Sequence, residues 1–205
     1  SQIFPRPPDR YRGDDLVRGR VGRTELQFSE LHTEYLSRGT DRKGRTRGSW
    51  HTIFRGLFFA AGFHKNFRGT TLVLPDTAER LLGGIGKMLQ SFNRARGELM
   101  KLEDPEFERL FVVYGDDQIE ARYILSPSLM ERITEFRRRA GRPVYLSFVR
   151  SRVYVAIGYG RELFEPRFYR SILGFETVAP YFEDLQLALG IVEDLNLNTR
   201  IWSKV

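Results

Sequence analysis

A helix with marked ends, followed directly by a β-hairpin, is the sequence feature that most restricts the fold. Residues 126–140 repeat apolar side chains at helical spacing, with Ser126 as a candidate N-cap. Gly141 supplies the C-terminal stop. Residues 144–149 and 153–157 then have the composition of two strands joined by a short turn. Because one helix face and one sheet face must bury each other, this region predicts an α+β domain.

Similar patterns predict the other elements. Further strands are predicted at residues 16–21, 24–35, 52–63, 71–74, 97–103, 110–114 and 119–125. Further helices are predicted at residues 76–92 and 180–195, and residues 1–15, rich in Pro and Arg, predict an extended lead-in. We expect a single α+β domain over residues 16–205, with antiparallel sheet, three main helices and the C-terminal helix packed on the sheet. A pleckstrin-homology-like barrel in the first half is the alternative.

Two stretches of the sequence resemble each other at a distance of about fifty residues. Residues 57–62 resemble residues 110–115, and each stretch precedes a predicted helix. Two halves of strand, strand and helix, at about 52–95 and 98–142, therefore remain an alternative description of the domain.

The composition is that of a folded chain without cysteine chemistry. The apolar fraction is 41% and there are sixteen Phe, whereas disordered chains are poor in aromatic residues. The absence of Cys excludes disulfides, a thiolate nucleophile and a cysteine zinc site. The longest apolar stretch, residues 53–63, is too short to span a bilayer and carries Arg55. Since the chain begins at Ser1, we expect a processed or excised piece of a longer protein.

The net charge of +7 is concentrated in the first third of the chain. Residues 1–70 contain fourteen Lys or Arg and seven Asp or Glu, and residues 71–205 contain nineteen of each. An excess of positive charge attracts anionic lipid, acidic protein or nucleic acid, but it does not determine the fold. A binding surface for such a partner is therefore expected in the first third.

The basic segment at residues 38–47 is the candidate binding site. It has no apolar residue, and we predict a long mobile hairpin loop. The candidate ligand-binding residues are Arg38, Arg42, Lys43, Arg45, Arg47 and the nearby Trp50. Cations attract an anionic bilayer, and tryptophan favours the headgroup level. The alternative is a solvated loop that serves solubility, with Trp50 buried at the start of a strand.

Four acidic doublets are the candidates for catalysis or metal binding. Paired carboxylates can hold Mg²⁺ or divide acid and base roles, and Asp116 with Asp117, near Glu120, is the strongest case. The three His lack metal-ligand spacing, no Gly-x-Ser-x-Gly motif occurs, and residues 83–87 lack the Walker spacing. No catalytic residue, cofactor or metal is predicted. A hydrolase-like enzyme with an acidic, metal-dependent site is the second hypothesis.

Several motifs resemble a bacterial family catalogued as a domain of unknown function, whose members are sometimes mislabelled galanin. The matching segments are residues 12–19, 28–31, 54–59, 102–107, 117–125, 147–148 and 163–166. The resemblance covers most of residues 10–197, and the central block is the most specific part. It implies two transmembrane helices ahead of this domain, and genes that often lie near those of LemA-like membrane proteins. It implies no reaction and no catalytic residue.

The leading functional hypothesis is a non-enzymatic interaction domain of a membrane-anchored bacterial protein. It would bind a protein partner, with a LemA-like protein implied by the resemblance, or anionic lipid headgroups. The domain would lie on the cytoplasmic side of the membrane. Nucleic-acid binding through the basic segment ranks third, because no helix-turn-helix or RRM consensus is present.

Overall fold

An antiparallel sheet of eight strands forms the centre of the protein in a computed structural model, which describes residues 3–4, 7–40, 46–76, 97–159, 190, 193 and 195. The strands are β1 (Arg10–Val21), β2 (Thr24–Thr40), β3 (Thr46–Gly62), β4 (Thr70–Pro75), β5 (Glu98–Met100), β6 (Phe111–Gly115), β7 (Val144–Val149) and β8 (Arg152–Gly158). Their order across the sheet is β1-β2-β3-β8-β7-β4-β6-β5, and every pairing is antiparallel.

The first three strands form a meander, and they are longer than the sequence pattern indicates. β1 begins at Arg10, so residues 10–14, predicted as part of the lead-in, are paired with β2. The predicted hairpin loop at 38–47 is also too long, because β2 continues to Thr40 and β3 begins at Thr46. Polar residues with glycines extend these strands because the backbone ladder does not require apolar side chains.

The pairing order contradicts the barrel alternative for the first half. β3 pairs with β8, the last described strand along the chain, rather than with β4. β1 and β5 lie at the two edges of the described sheet, and neither pairs with the other. The described sheet is therefore open.

Three helices lie in the described part of the chain: α1 (Pro105–Leu110), α2 (Gln118–Ile124) and α3 (Pro127–Ala140). α3 confirms the prediction for 126–140, and Gly141 ends it in the left-handed conformation, with φ of 62°. Ser126 makes no capping bond with its side chain, so its predicted role as a side-chain cap is wrong. Instead, its carbonyl accepts the first N–H groups of the helix.

The predictions for residues 97–125 are partly wrong. The strand predicted at 97–103 is limited to β5, and the strand predicted at 119–125 is α2. Asp117 starts this helix, because its side chain accepts hydrogen bonds from the N–H groups of Ile119 and Glu120. Ala121 and Ile124 are then buried on one helical face. The β-branched and aromatic residues of the segment gave the misleading strand pattern.

The main core lies between one face of the sheet and the three helices. Among its fully buried members are Phe59, Phe107, Ile133, Phe136, Phe148 and Val155. Buried clusters also occupy the opposite face, where Ile3 packs with Phe54 and Ala156. Since both faces carry buried residues, the central strands are almost continuously apolar, as in β4.

Two of the three predicted main helices, at 76–92 and 180–195, lie outside the described residues except for single positions. Three further predictions also fall outside the described residues: the packing of the C-terminal helix, the three glycines at 83–86 and the helix of the first β-β-α half. Within the described residues, no helix has the length and apolar character needed to cross a bilayer.

Candidate functional site

A two-stranded ribbon of residues 36–40 and 46–50 extends from one end of the sheet; we call the sequence from 36 to 50, of which residues 41–45 lie outside the described part, the basic arm. The last pair between β1 and β2 is Arg10 with Glu34, and the last pair between β3 and β8 is Gly56 with Gly158. Beyond these points, residues 36–40 and 46–50 pair only with each other among the described strands. At 3.4 Å per residue, the described part of the ribbon projects roughly 14 Å.

Asp9 fixes the base of the basic arm. Its backbone N–H donates to the carbonyl of Glu34 at 3.0 Å. Its carboxylate accepts a hydrogen bond of 2.8 Å from the backbone N–H of Leu36. Because these bonds continue the β1 side of the ladder by two residues, the ribbon leaves the sheet in a defined direction.

The two described cations of the arm have glycine as their cross-strand neighbour. Arg38 is paired with Gly48, and Arg47 with Gly39. Both arginines are exposed, and neither forms an ion pair within the described part of the chain. A glycine opposite each guanidinium offers no side chain that could bind it. Both charges are therefore available to an external partner.

Trp50 lies at the base of the arm and is 44% exposed, which overturns the alternative that buries it at a strand start. It is paired with Leu36 across the ladder. The guanidinium carbon of Arg10 lies 4.3 Å from the centre of the Trp50 ring, a cation–π contact. This contact covers one side of the indole, and less than half of the Trp50 surface remains exposed to solvent.

Glu34 holds Arg10 in this position. The Nε and Nη2 atoms of Arg10 donate to the Oε2 atom of Glu34, at 2.9 Å and 2.5 Å. These hydrogen bonds, together with the positive charges of Arg10, His32 and Arg12, hold the pKa of Glu34 below its usual value of 4.5. At neutral pH, Glu34 therefore holds Arg10, and Arg10 in turn fixes the orientation of the Trp50 indole.

The other face of the arm carries a second aromatic contact. Tyr35 and His51 are paired across the ladder, and their rings stack with centres 5.1 Å apart. Arg47 lies on this face, whereas Trp50 and Arg38 lie on the opposite one, because side chains alternate along a strand. Each face of the described ribbon therefore combines one cation with aromatic surface.

Of the six predicted site residues, Arg38, Arg47 and Trp50 lie together on the arm. Arg42, Lys43 and Arg45 fall at residues 41–45, outside the described part of the chain. Sequence reasoning missed Arg10 and Glu34. Their side chains meet because residues 24 positions apart are neighbours across the β1–β2 ladder, and no local pattern indicates that pairing.

The acidic candidates have structural partners. Both oxygens of Glu120 accept backbone N–H bonds, from Arg68 and Gly69, each at 2.7 Å. Asp116 accepts one from Thr70 at 2.9 Å. Asp117 caps α2. Glu120 and Asp116 thus hold the backbone where β4 begins. Among the described residues, no group of three acidic or histidine side chains is arranged to hold a metal ion.

No curated protein matches the chain at a significant level. A crystal structure of the mycobacterial trehalose monomycolate transport factor A, TtfA, aligns over 94% of this chain and 91% of that chain, with 11% identity and a TM-score of 0.35. The family model described as Protein of unknown function (DUF3137) matches residues 52–197. That match confirms the resemblance to a domain of unknown function, and the chain belongs to this family.

Proposed function

We propose that this domain is a non-enzymatic interaction module that docks on an anionic lipid surface through its basic arm. The observation that carries the proposal is the pair of exposed arginines, Arg38 and Arg47, each opposite a glycine on a projecting ribbon. Arm residues 36–50 contain five cations and one acidic residue. A thin projecting ribbon can approach a bilayer without the body of the domain colliding with the lipids.

The electrostatic attraction of the arm is modest. Each cation near an anionic bilayer contributes about 1 kcal/mol, so five contribute roughly 3–5 kcal/mol after the acidic residue is considered. Salt weakens this attraction, because the Debye length is only about 8 Å at physiological ionic strength. Such an energy suits the orientation of a domain that is already tethered beside the membrane, as the family resemblance implies.

The apolar part of the arm complements its charges. Trp50, Leu36 and Arg38 lie on the same face of the ribbon. Tryptophan is enriched at the headgroup level of membranes because its ring is both apolar and polar. If this face lies on the bilayer, Trp50 enters the headgroup region while Arg38 contacts the phosphates. An acidic protein partner would also attract the charges of the arm, but it would not require an indole at the level of lipid headgroups.

Co-sedimentation with vesicles tests this proposal. The probe is a vesicle of 70% phosphatidylcholine and 30% phosphatidylglycerol, compared with phosphatidylcholine alone. In the test variant, the five arm cations Arg38, Arg42, Lys43, Arg45 and Arg47 become Ser. The matched control changes four exposed Arg and one exposed Lys outside the arm, Arg23, Arg68, Lys101, Arg109 and Arg122, to Ser.

We expect the anionic vesicles to bind the original chain and the control variant, because the attraction depends on where the cations lie. Binding of the arm variant should fall by roughly tenfold or more, given about 1 kcal/mol per cation. Equal loss in both variants would mean that total charge alone matters. Undiminished binding of the arm variant would contradict the proposal, as would an original chain that binds RNA or an acidic peptide but not vesicles.

A further inference from the structure

A cleft with three arginines lies on the sheet at the end opposite the basic arm. It has a volume of about 540 Å³, within the usual range for small-molecule sites. Arg18 and Arg20 of β1 border one side and Arg152 of β8 borders the other. The floor between them is formed by the intervening strands β2 and β3, including Ala60 and Gly62.

The charged side chains of the cleft share one face of the sheet. Arg20, Glu25, Gly62 and Arg152 form one row across four neighbouring strands, according to the register of the pairs. At about 4.8 Å between strands, this row is roughly 14 Å wide. Arginine side chains from both margins can therefore reach over the floor, which Glu25 and Gln27 of β2 share with Ala60 and Gly62 of β3.

The cleft has a surplus of positive charge. Arg20 donates to Glu25 at 2.9 Å, but this pair is exposed, and such surface pairs contribute little. Arg18 and Arg152 have no ion-pair partner among the described residues. Three guanidinium groups and one carboxylate leave a charge of +2. A phosphate monoester carries about −1.5 to −2 at pH 7, which matches this surplus.

Gly62 has no packing reason to be glycine. A Cβ atom added there would meet no atom within 4 Å, and its backbone φ is not positive. A glycine within a strand costs stability and often marks a place where a ligand approaches the backbone. In Gly56, by contrast, an added Cβ would lie 2.0 Å from the carbonyl oxygen of Ile157. The glycine at 62 keeps the floor of the cleft open.

We propose that this cleft binds the phosphate monoester group of a small organic molecule. Arg18 and Arg152 donate to the phosphate oxygens, since guanidinium groups match phosphate geometry with two parallel hydrogen bonds. Arg20 adds charge while it remains bound to Glu25. The organic part lies over Gly62, where an added Cβ would meet no atom within 4 Å.

Isothermal titration calorimetry with phenyl phosphate at fixed ionic strength tests this site. We expect saturable binding at one site per chain. Arg18→Gln with Arg152→Gln should weaken it by roughly tenfold or more, because charge-assisted hydrogen bonds are lost. Arg109→Gln with Arg122→Gln removes the same charge from exposed positions outside the cleft, and it should leave the affinity unchanged. No saturable binding, or equal weakening by both pairs, would overturn the proposal.

A pair of glycine variants tests the shape of the cleft separately from its charge. Gly62→Val fills the floor and should abolish binding, whereas valine is well tolerated in a strand. Gly39→Val is the matched control, since Gly39 is also a strand glycine without neighbours within 4 Å, but it lies on the arm. Thermal unfolding establishes that both variants are folded. Equal affinity of the folded Gly62→Val variant and the original chain would contradict the assignment of the site.

A phosphate monoester can be a soluble metabolite or a lipid headgroup, and vesicles distinguish the two. The chain with its five arm cations changed to Ser is mixed with vesicles containing phosphatidic acid, a monoester, or phosphatidylglycerol, a diester, at equal mole fraction. If the chain prefers phosphatidic acid and Gly62→Val removes this preference, the ligand of the cleft is a lipid headgroup. If the chain binds phenyl phosphate but shows no such preference, the ligand is a soluble molecule. The calorimetry does not depend on the arm, so failure of the membrane proposal leaves its result unaffected.

Discussion

At the scale of single residues, Arg10 determines how Trp50 is presented. It contacts the indole on one side and is held by two hydrogen bonds to one oxygen of Glu34 on the other. The second oxygen of Glu34 lies 3.9 Å from His32, whose Nε2 is also 3.2 Å from the hydroxyl of Thr52. Trp50 is therefore both exposed and oriented.

The first prediction concerns the pH dependence of this arrangement. The folded-state pKa of Glu34 lies below 4.5, chiefly because of its hydrogen bonds with Arg10. The stabilisation by this pair is therefore complete above pH 4.5 and is lost as the pH falls through the lower, folded-state value. In a Trp202→Phe background, the fluorescence of Trp50 should change in that acidic range, as Arg10 is released.

Glu34→Gln supplies the control for the pH titration. The amide cannot ionise, so its Trp50 emission at neutral pH should already resemble that of the acidified chain. The transition below pH 4.5 should be absent. A transition of the same midpoint and size in Glu34→Gln would show that another group controls the indole.

Lys65 is the other residue with an informative environment. It is 7% exposed, and burial lowers the pKa of its amino group below the usual value. Its Nζ donates to the carbonyl of Tyr123 at 2.5 Å and of Ile124 at 3.2 Å. These are among the last carbonyls of α2, which lack partners within the helix. Lys65 thus joins the loop before β4 to the end of α2.

The second prediction is that Lys65→Met destabilises the fold. The methionine keeps most of the apolar stem but leaves the carbonyl of Tyr123 without its donor, whereas the carbonyl of Ile124 still accepts the N–H of Ser126 at 3.0 Å. Hydrogen bonds from charged groups contribute about 1.5–3 kcal/mol, so we expect a loss of about that size in urea unfolding. Lys101→Met, at an exposed position, should change stability by less than about 0.5 kcal/mol. Similar effects of both substitutions would contradict the capping role.

At the scale of elements, β3 has two functions along its length. Residues 56–62 pair with β8 inside the sheet, whereas residues 46–50 belong to the arm. The change occurs at Gly56, where an added Cβ would lie 2.0 Å from the carbonyl oxygen of Ile157 and 2.9 Å from the amide nitrogen of Tyr159. The carbonyl of Arg55 also accepts the N–H of Tyr159 at 2.9 Å.

The third prediction follows from that close approach. Gly56→Ala should push β8 away from β3 and destabilise the protein by roughly 2 kcal/mol or more, in the range typical of forced core contacts. Gly62→Ala, on the same strand, meets open space and should have little effect or a small stabilising one. Urea unfolding of the two variants measures the difference. Equal stability would mean that the two strands can separate without cost.

Local sequence signals were most accurate for two elements whose ends they mark. α3 and the β7–β8 hairpin were predicted nearly to the residue, because a stop glycine and strand alternation act within the segment itself. The hairpin turn is two residues, Arg150 and Ser151, both with positive φ. α1 was missed although Asp104 and Pro105 form a recognisable helix start.

Contacts between distant residues could not be predicted. Glu120 binds the backbone at residues 68–69, about fifty positions earlier in the chain. Because that contact is not visible in the sequence, Glu120 and the neighbouring Asp116 and Asp117 were considered as candidates for catalysis or metal binding rather than for a structural role. The cleft joins Arg18 and Arg152 only because β8 pairs with β3, and one sequence carries no sign of that order. The cations of the arm could be identified because they are close together in the sequence, but the length of the paired ribbon could not be predicted.

At the scale of the whole molecule, positive charge lies at opposite ends of the same long strands. Arg38 and Arg47 lie beyond the sheet at one end, and Arg18, Arg20 and Arg152 line the cleft at the other. About ten residues of β2 separate the two regions, which corresponds to roughly 34 Å. One domain can therefore contact a membrane with its arm while its cleft binds a separate anionic ligand.

The most direct test of the membrane account is the quenching of Trp50 by lipids with brominated chains, in the Trp202→Phe background. Bromine quenches an indole only at close range, so the signal reports whether the base of the arm enters the bilayer. We expect quenching with vesicles containing 30% phosphatidylglycerol, and its loss when the five arm cations become Ser. Trp50 emission unaffected by brominated anionic vesicles, under conditions where the chain sediments with them, would contradict the central claim.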